Sequence, residues 1–181
     1  MPKTVKKPKA ADAAIDALNK AIHSERMALA TYLTFARETK VPSGKDMFIR
    51  LSQEEFGHRE ILEKELHNLL SGKAWVKPAF ASAEIEALLP RLSGQQAKTQ
   101  TEQGTSDDLQ ALNIALDMEK KALGFYRRES EKAGDATARK MYARLAEMED
   151  SHAVLIQAEI DHIKDMGFWF GIQEFTLESN E

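Results

Sequence analysis

Residues 17–66 and 111–160 of this chain carry one pattern twice. Aligned without gaps, at a constant offset of 94 positions, 14 of the 50 pairs are identical. They include Leu18/Leu112, Asn19/Asn113, Ala21/Ala115, Leu29/Leu123, Met47/Met141, Arg50/Arg144 and Leu51/Leu145. Also repeated are Glu25/Glu119, Tyr32/Tyr126, Glu55/Glu149, His58/His152 and Glu65/Glu159. Two copies are too few for a solenoid, so the repeat predicts two like halves facing each other across a pseudo-twofold axis.

Each half reads as a pair of helices. Leu18, Ile22, Glu25, Leu29, Tyr32 and Phe35 fall on one helical stripe, and so do Phe48, Leu51, Glu55, His58, Leu62 and Leu66. The periodicity predicts helices over about 11–40, 46–70, 106–133 and 135–167. Val41-Pro42-Ser43-Gly44, Ser71-Gly72 and Gly134 are the expected stops, and Ser106 the expected N-cap of the third helix. Residues 73–105 differ in character. They hold Pro78 and Pro90, one short helix-like piece from Ser82 to Leu89, and a polar run to Thr105. That length suits a connection crossing the bundle, so that the third helix runs the same way as the second. The expected fold is all-α: a four-helix bundle with a long crossover between helices 2 and 3, built from two pseudo-symmetric helix pairs. Its expected parts are a disordered basic tail (1–10), the bundle (11–166) and an aromatic tail (167–181) whose Phe168-Trp169-Phe170 docks on the bundle or on a neighbouring subunit.

The apolar stripes carry charge where charge is costly. Positions i and i+3 of a helix share a face, so Glu55 points with His58, and Glu149 with His152. Their stripe neighbours are Leu51, Leu62, Leu145 and Ile156. Glu25 lies among Leu18, Ile22 and Leu29, and Glu119 among Leu112, Leu116 and Leu123. Four buried carboxylates without partners would cost many kcal/mol. Two divalent cations would neutralise them, with Glu25, Glu55, His58, Glu119, Glu149 and His152 as the ligands and positions left open for a small oxygen species. Tyr32 and Tyr126, two turns from Glu25 and Glu119, are expected to donate hydrogen bonds to ligand carboxylates. His23, His67 and His162 lie off the stripes and are expected in solvent. Glu65 and Glu159 sit two turns beyond the paired histidines and are expected at solvated bundle ends. Met47, Met118, Met141 and Met148 are expected as core filler.

Composition narrows the function further. There is no cysteine, which excludes disulfides, thiolate chemistry and any Cys-bound iron centre in this chain. Lys3, Lys6, Lys7 and Lys9 make residues 1–9 basic, leaving −8 on the rest of a chain whose net charge is −4. Four lysines without interleaved aromatics do not make a nucleic-acid arm. No apolar run approaches the ~18 residues of a membrane span, and no signal-peptide pattern is present. A cytoplasmic location is expected, with no membrane or nucleic-acid partner.

At these residues the chain resembles the ferritin-like di-iron carboxylate proteins, and within them the rubrerythrin-like branch, over about residues 11–166. The resemblance implies two Fe ions, with Mn or Zn as substitutes, and reduction of hydrogen peroxide or oxygen. It implies a homodimer or larger homo-oligomer. The alternative within the superfamily is a ferroxidase serving iron storage or detoxification; a metal-stabilised helical adaptor without turnover is the third reading. Three departures bear on mechanism. Lacking cysteine, the chain has no rubredoxin-type iron centre, so an external electron-donor protein is implied. The additional Glu that rubrerythrins place three residues after the third-helix ligand is Ala122 here, matched in the repeat by Ala28. The haem-binding Met that bacterioferritins place after the second-helix Glu is Phe56, so no haem is expected.

Overall fold

The computed structural model describes residues 9–76 and 103–169. Within them run four helices: α1 (Lys9–Glu38), α2 (Pro42–Leu70), α3 (Ser106–Lys132) and α4 (Ala136–Met166). α1 packs along α2, α3 packs along α4, and a narrower contact joins α1 to α3. The two pairs are the two copies of the repeat. The Ser82–Leu89 piece, most of the basic tail and Phe170 onward lie outside the described residues. No described helix is long and apolar enough to cross a membrane.

The helix ends follow local chemistry, and two of them differ from expectation. Pro42 does not terminate α1 but begins α2, behind Val41 in an extended conformation. Proline suits this position because its fixed φ is already helical and its missing N–H would have no partner there. Gly44 is therefore inside α2, and its role is space. A Cβ at that position would come within 2.7 Å of the Trp169 indole. The α3 cap is Thr105 rather than Ser106. Thr105 Oγ1 accepts from the Asp108 amide at 3.1 Å, and Asp108 Oδ2 accepts from the Thr105 amide at 2.9 Å, a reciprocal capping box. Asp135 caps α4 through Thr137 and Ala138. Gly167 closes α4 with φ +78, a conformation that costs glycine little.

Beyond Gly167 the chain pairs with the strap before α3. Gln103 and Phe168 form an antiparallel bridge, and the Gly104 amide donates to the Gly167 carbonyl at 3.0 Å. This sets Trp169 into the bundle, almost wholly buried against Phe48, while Phe168 stays exposed.

Two apolar clusters make the core. One gathers Tyr32, Phe48, Leu51, Leu112, Leu116, Ile156, Ile160 and Trp169. The other gathers Leu18, Ile22, Leu62, Leu123, Tyr126, Met141, Tyr142 and Leu145. On every helix the charged residue or pair of the repeat falls at the junction. Glu25 lies between Ile22 and Tyr32, Glu55 and His58 between Leu51 and Leu62, Glu119 between Leu116 and Leu123, and Glu149 and His152 between Leu145 and Ile156. Burial of each large side chain contributes roughly 1.5–3 kcal/mol, so apolar packing on both sides holds together a middle that is polar throughout.

Candidate metal centre

Glu25, Glu55, His58, Glu119, Glu149 and His152 are all at most 2% exposed. They form two overlapping sets of four. Glu25, Glu55, His58 and Glu149 make one, and Glu55, Glu119, Glu149 and His152 the other, each with ligand atoms within 4.8 Å of one another. Glu55 and Glu149 belong to both. His58 Nδ1 lies 3.1 Å from Glu149 Oε1, 3.4 Å from Glu55 Oε2 and 3.7 Å from Glu25 Oε2. His152 Nδ1 lies 3.2 Å from Glu55 Oε1 and 3.7 Å from both Glu119 Oε1 and Glu149 Oε2. The rings of His58 and His152 stack with centroids 5.6 Å apart.

Four atoms turned inward have no hydrogen-bond partner among the described residues: Glu55 Oε1, Glu149 Oε1, His58 Nδ1 and His152 Nδ1. Buried polar atoms ordinarily find partners. Four orphans, one from each member of the two Glu-x-x-His pairs, fit cations. Carboxylate and imidazole together accept iron, manganese or zinc, and two shared carboxylates suit a bridged pair.

Among themselves the six groups sort protons by position. Burial, reinforced by the charge of Glu55, pushes Glu25 well above the ordinary carboxyl range, and burial likewise pushes Glu119 to about 8. Burial also raises Glu55 and Glu149, but other groups prevail. Close polar contacts with Glu25, His152 and His58 hold Glu55 well below its ordinary value, and those with His152, His58 and Glu119 hold Glu149 below. Burial opposes the charged form of both histidines, yet the surrounding carboxylates keep them well above the ordinary value. Burial thus favours the protonated form of the terminal acids, while the surrounding groups favour the carboxylate form of the shared acids and the charged form of both imidazoles.

The two tyrosines cross between the halves. Tyr32 donates to Glu119 Oε1, and Tyr126 donates to Glu25 Oε1. Burial and the nearby carboxylates raise both phenols, so they remain donors. Each terminal acid is therefore oriented by the opposite half.

One residue escaped the sequence reading. Glu54 Oε2 lies 2.7 Å from the outward nitrogen of His152, Nε2, and Arg50 Nε lies 3.4 Å from Glu54 Oε1. Burial raises Glu54, but the His152 hydrogen bond and charge and the Arg50 charge prevail and lower it. The repeat mate of Glu54 is Met148, and His58 Nε2 has no partner among the described residues. The Glu54-Glu55 doublet beside the motif was the available signal.

Two expectations fail. Glu65 and Glu159 are not solvated; they are 1% and 2% exposed. Beyond α2 the chain folds back, and the Val76 amide donates to Glu65 Oε2 at 3.2 Å. His162 is half-buried rather than in solvent, whereas His23 and His67 are exposed as expected.

A four-helix bundle enclosing a duplicated carboxylate–histidine cluster defines a ferritin-like carboxylate protein. Solved structures share the fold. A hypothetical protein from Pyrococcus furiosus superposes with a TM-score of 0.65 at 21% identity, over 86% of this chain and 93% of that one. A two-domain protein from Anabaena variabilis, with DJ-1/ThiJ/PfpI-like and ferritin-like domains, gives 0.63 at 17% identity, over 89% of this chain and 42% of that one. No curated protein matches the sequence. The rubrerythrin family matches residues 16–160, most of the chain, and the chain belongs to that family.

Proposed function

We propose that this chain is a non-haem di-iron oxidoreductase that reduces hydrogen peroxide, or oxygen, with electrons from an external donor protein. The observation that carries the proposal is the pair of overlapping four-residue sets, four of whose inward atoms have no hydrogen-bond partner among the described residues. Glu25, Glu55, His58 and Glu149 would hold one iron and Glu55, Glu119, Glu149 and His152 the other, with Glu55 and Glu149 common to both sets. Bound there, two Fe(II) ions supply two electrons together, the number that turns peroxide and two protons into two waters.

The chain's own residues do the rest. Glu54 accepts from His152 Nε2–H, which leaves Nδ1 as the inward ligand atom. Tyr126 holds Glu25 Oε1 and leaves Oε2 turned toward His58, and Tyr32 holds Glu119 Oε1, the oxygen that faces His152. The apolar clusters at both ends restrict water, which strengthens each charge interaction inside. The sequence holds no cysteine for a thiolate-bound iron relay, and an external donor protein would supply the reducing electrons.

The test is anaerobic loading with two Fe(II) per chain, then rapid mixing with peroxide and separately with oxygen. Fast oxidation by peroxide, with both irons retained and reducible for another round, is the expected result. Iron released or accumulating beyond two per chain would assign ferroxidation for storage instead. No oxidation by either reagent would refute the redox reading.

A further inference from the structure

Each tyrosine that holds a terminal acid begins a file of aromatic rings, and the two files are repeat mates. In one, Tyr126 stacks on Tyr142 (centroids 6.1 Å, planes 25° apart), and Tyr142 meets Trp75 edge-on at 6.2 Å. In the other, Tyr32 stacks on Phe48 (6.2 Å, 21°), and Phe48 meets Trp169 edge-on at 5.9 Å. Tyr142 follows Phe48, and Trp169 follows Trp75, at the same 94-residue offset as the ligands. The geometry is therefore duplicated but the chemistry is not.

Two differences separate the files. Phenol and indole rings give up one electron at potentials that a protein redox centre reaches, whereas a phenyl ring does not. The first file is Trp–Tyr–Tyr; the second is interrupted by Phe48. The outer ring differs as well, since Trp75 is half-buried and meets solvent, while Trp169 is 3% exposed. Only the first file joins oxidisable rings from the protein surface to a ligand carboxylate.

We propose that Trp75, Tyr142 and Tyr126 form a one-electron conduit into the metal centre, with Trp75 as the entry point for an external one-electron donor. The proposal rests on the redox reading above. In each passage Tyr126 gives one electron to the oxidised centre while its hydroxyl proton shifts to Glu25 along the existing hydrogen bond. Tyr142 refills Tyr126, whose proton returns from Glu25. Trp75 supplies that electron through the Tyr142 ring, whose hydroxyl, without a hydrogen-bond partner among the described residues, keeps its proton. The donor then reduces Trp75. One electron crosses per passage with no net proton change, and two passages restore the pair. The Phe48 file conducts poorly, so electrons enter by one side of a nearly symmetric molecule.

The conduit can be read without peroxide chemistry, in full-length protein loaded with two redox-inert Zn(II). Photogenerated tris(bipyridine)ruthenium(III) removes one electron from an exposed indole, and transient absorption follows the indolyl radical and the phenoxyl radical that succeeds it. In the unsubstituted protein the indolyl signal should give way to phenoxyl. In Tyr142→Phe the indolyl radical should decay about tenfold more slowly or worse, and in Trp75→Phe the phenoxyl yield should collapse. Tyr142→Phe keeps the fold because its hydroxyl has no hydrogen-bond partner among the described residues and Phe48 fills the equivalent place. Equal indolyl decay in Tyr142→Phe and the unsubstituted protein, or undiminished phenoxyl in Trp75→Phe, would overturn the conduit and leave the centre's own chemistry standing. Rapid indolyl-to-phenoxyl transfer in a protein whose Fe(II) form ignores peroxide and oxygen would keep the conduit and sink the redox reading.

Discussion

Loading the centre with two divalent cations should expel about four protons at pH 7. The number follows from the placement of charge. Burial pushes Glu25 well above the ordinary carboxyl range and Glu119 to about 8, while the neighbouring groups favour imidazolium at His58 and His152 and carboxylate at Glu55 and Glu149. Two charged imidazoles balance two carboxylates, so the six groups sum to neutral. Two dications require four carboxylates and two neutral imidazoles, which removes one proton from each of four groups. Charge is conserved in the exchange, so a dry interior can tolerate either state. The product of the two binding constants should then rise by about four decades per pH unit near neutrality, where those groups remain protonated. Zn(II) titration by calorimetry in buffers of different ionisation enthalpy reads the proton count directly. Release of one proton or none would show the terminal acids already ionised and the imidazoles neutral, and would refute this account of how the cluster is stable without metal.

Further outcomes follow from the same geometry. Glu54→Gln should weaken one of the two metal positions by about 10–100-fold and leave the other intact; competitive titration resolving two sites checks this, and equal weakening of both would contradict it. After chelation the fold should lose stability as pH rises: the folded-state value of Glu119 lies above its unfolded one, so its contribution is complete below the ordinary carboxyl range and gone once pH passes about 8. His58 and His152 act with the same sign, and melting curves from pH 5 to 9 with and without metal separate the two states. Gly44→Ala should destabilise by about 1–3 kcal/mol through its clash with Trp169, whereas Gly57→Ala, whose Cβ meets nothing within 4 Å, should stabilise by about 0.5–1 kcal/mol in urea denaturation. Thr105→Ala should cost about 1 kcal/mol by removing the α3 cap.

The buried carboxylate–histidine cluster was legible because it violates its surroundings. Glu25 or His58 on a stripe of leucines is an expensive placement, and the cost recurs at one spacing in both halves. Helix pairing was legible for the same reason that apolar periodicity is. Local punctuation misled: Pro42 and Gly44 resemble a stop, but proline also starts helices, and Gly44 answers to Trp169, more than a hundred positions away. Glu65 and Glu159 were misjudged because position along a helix says nothing of what folds over its end, here the backbone of Val76 above Glu65. Glu54 was missed because it sits one residue off the stripe, and only the orientation of His152 on α4 reveals its partner.

The trailing tryptophans have a further consequence. Trp75 leaves α2 and seats on Tyr142 of the second half, and Trp169 leaves α4 and seats on Phe48 and Gly44 of the first. Tyr126 and Tyr32 reach across in the same reciprocal way. In quaternary terms the molecule is a heterodimer whose two subunits share one backbone. Neither half holds the whole carboxylate–histidine cluster or covers its own apolar end, so the boundary between the halves is an obligate interface rather than a seam between domains. A substitution that loosens this interface should act as a dissociation that separates the two halves of the cluster.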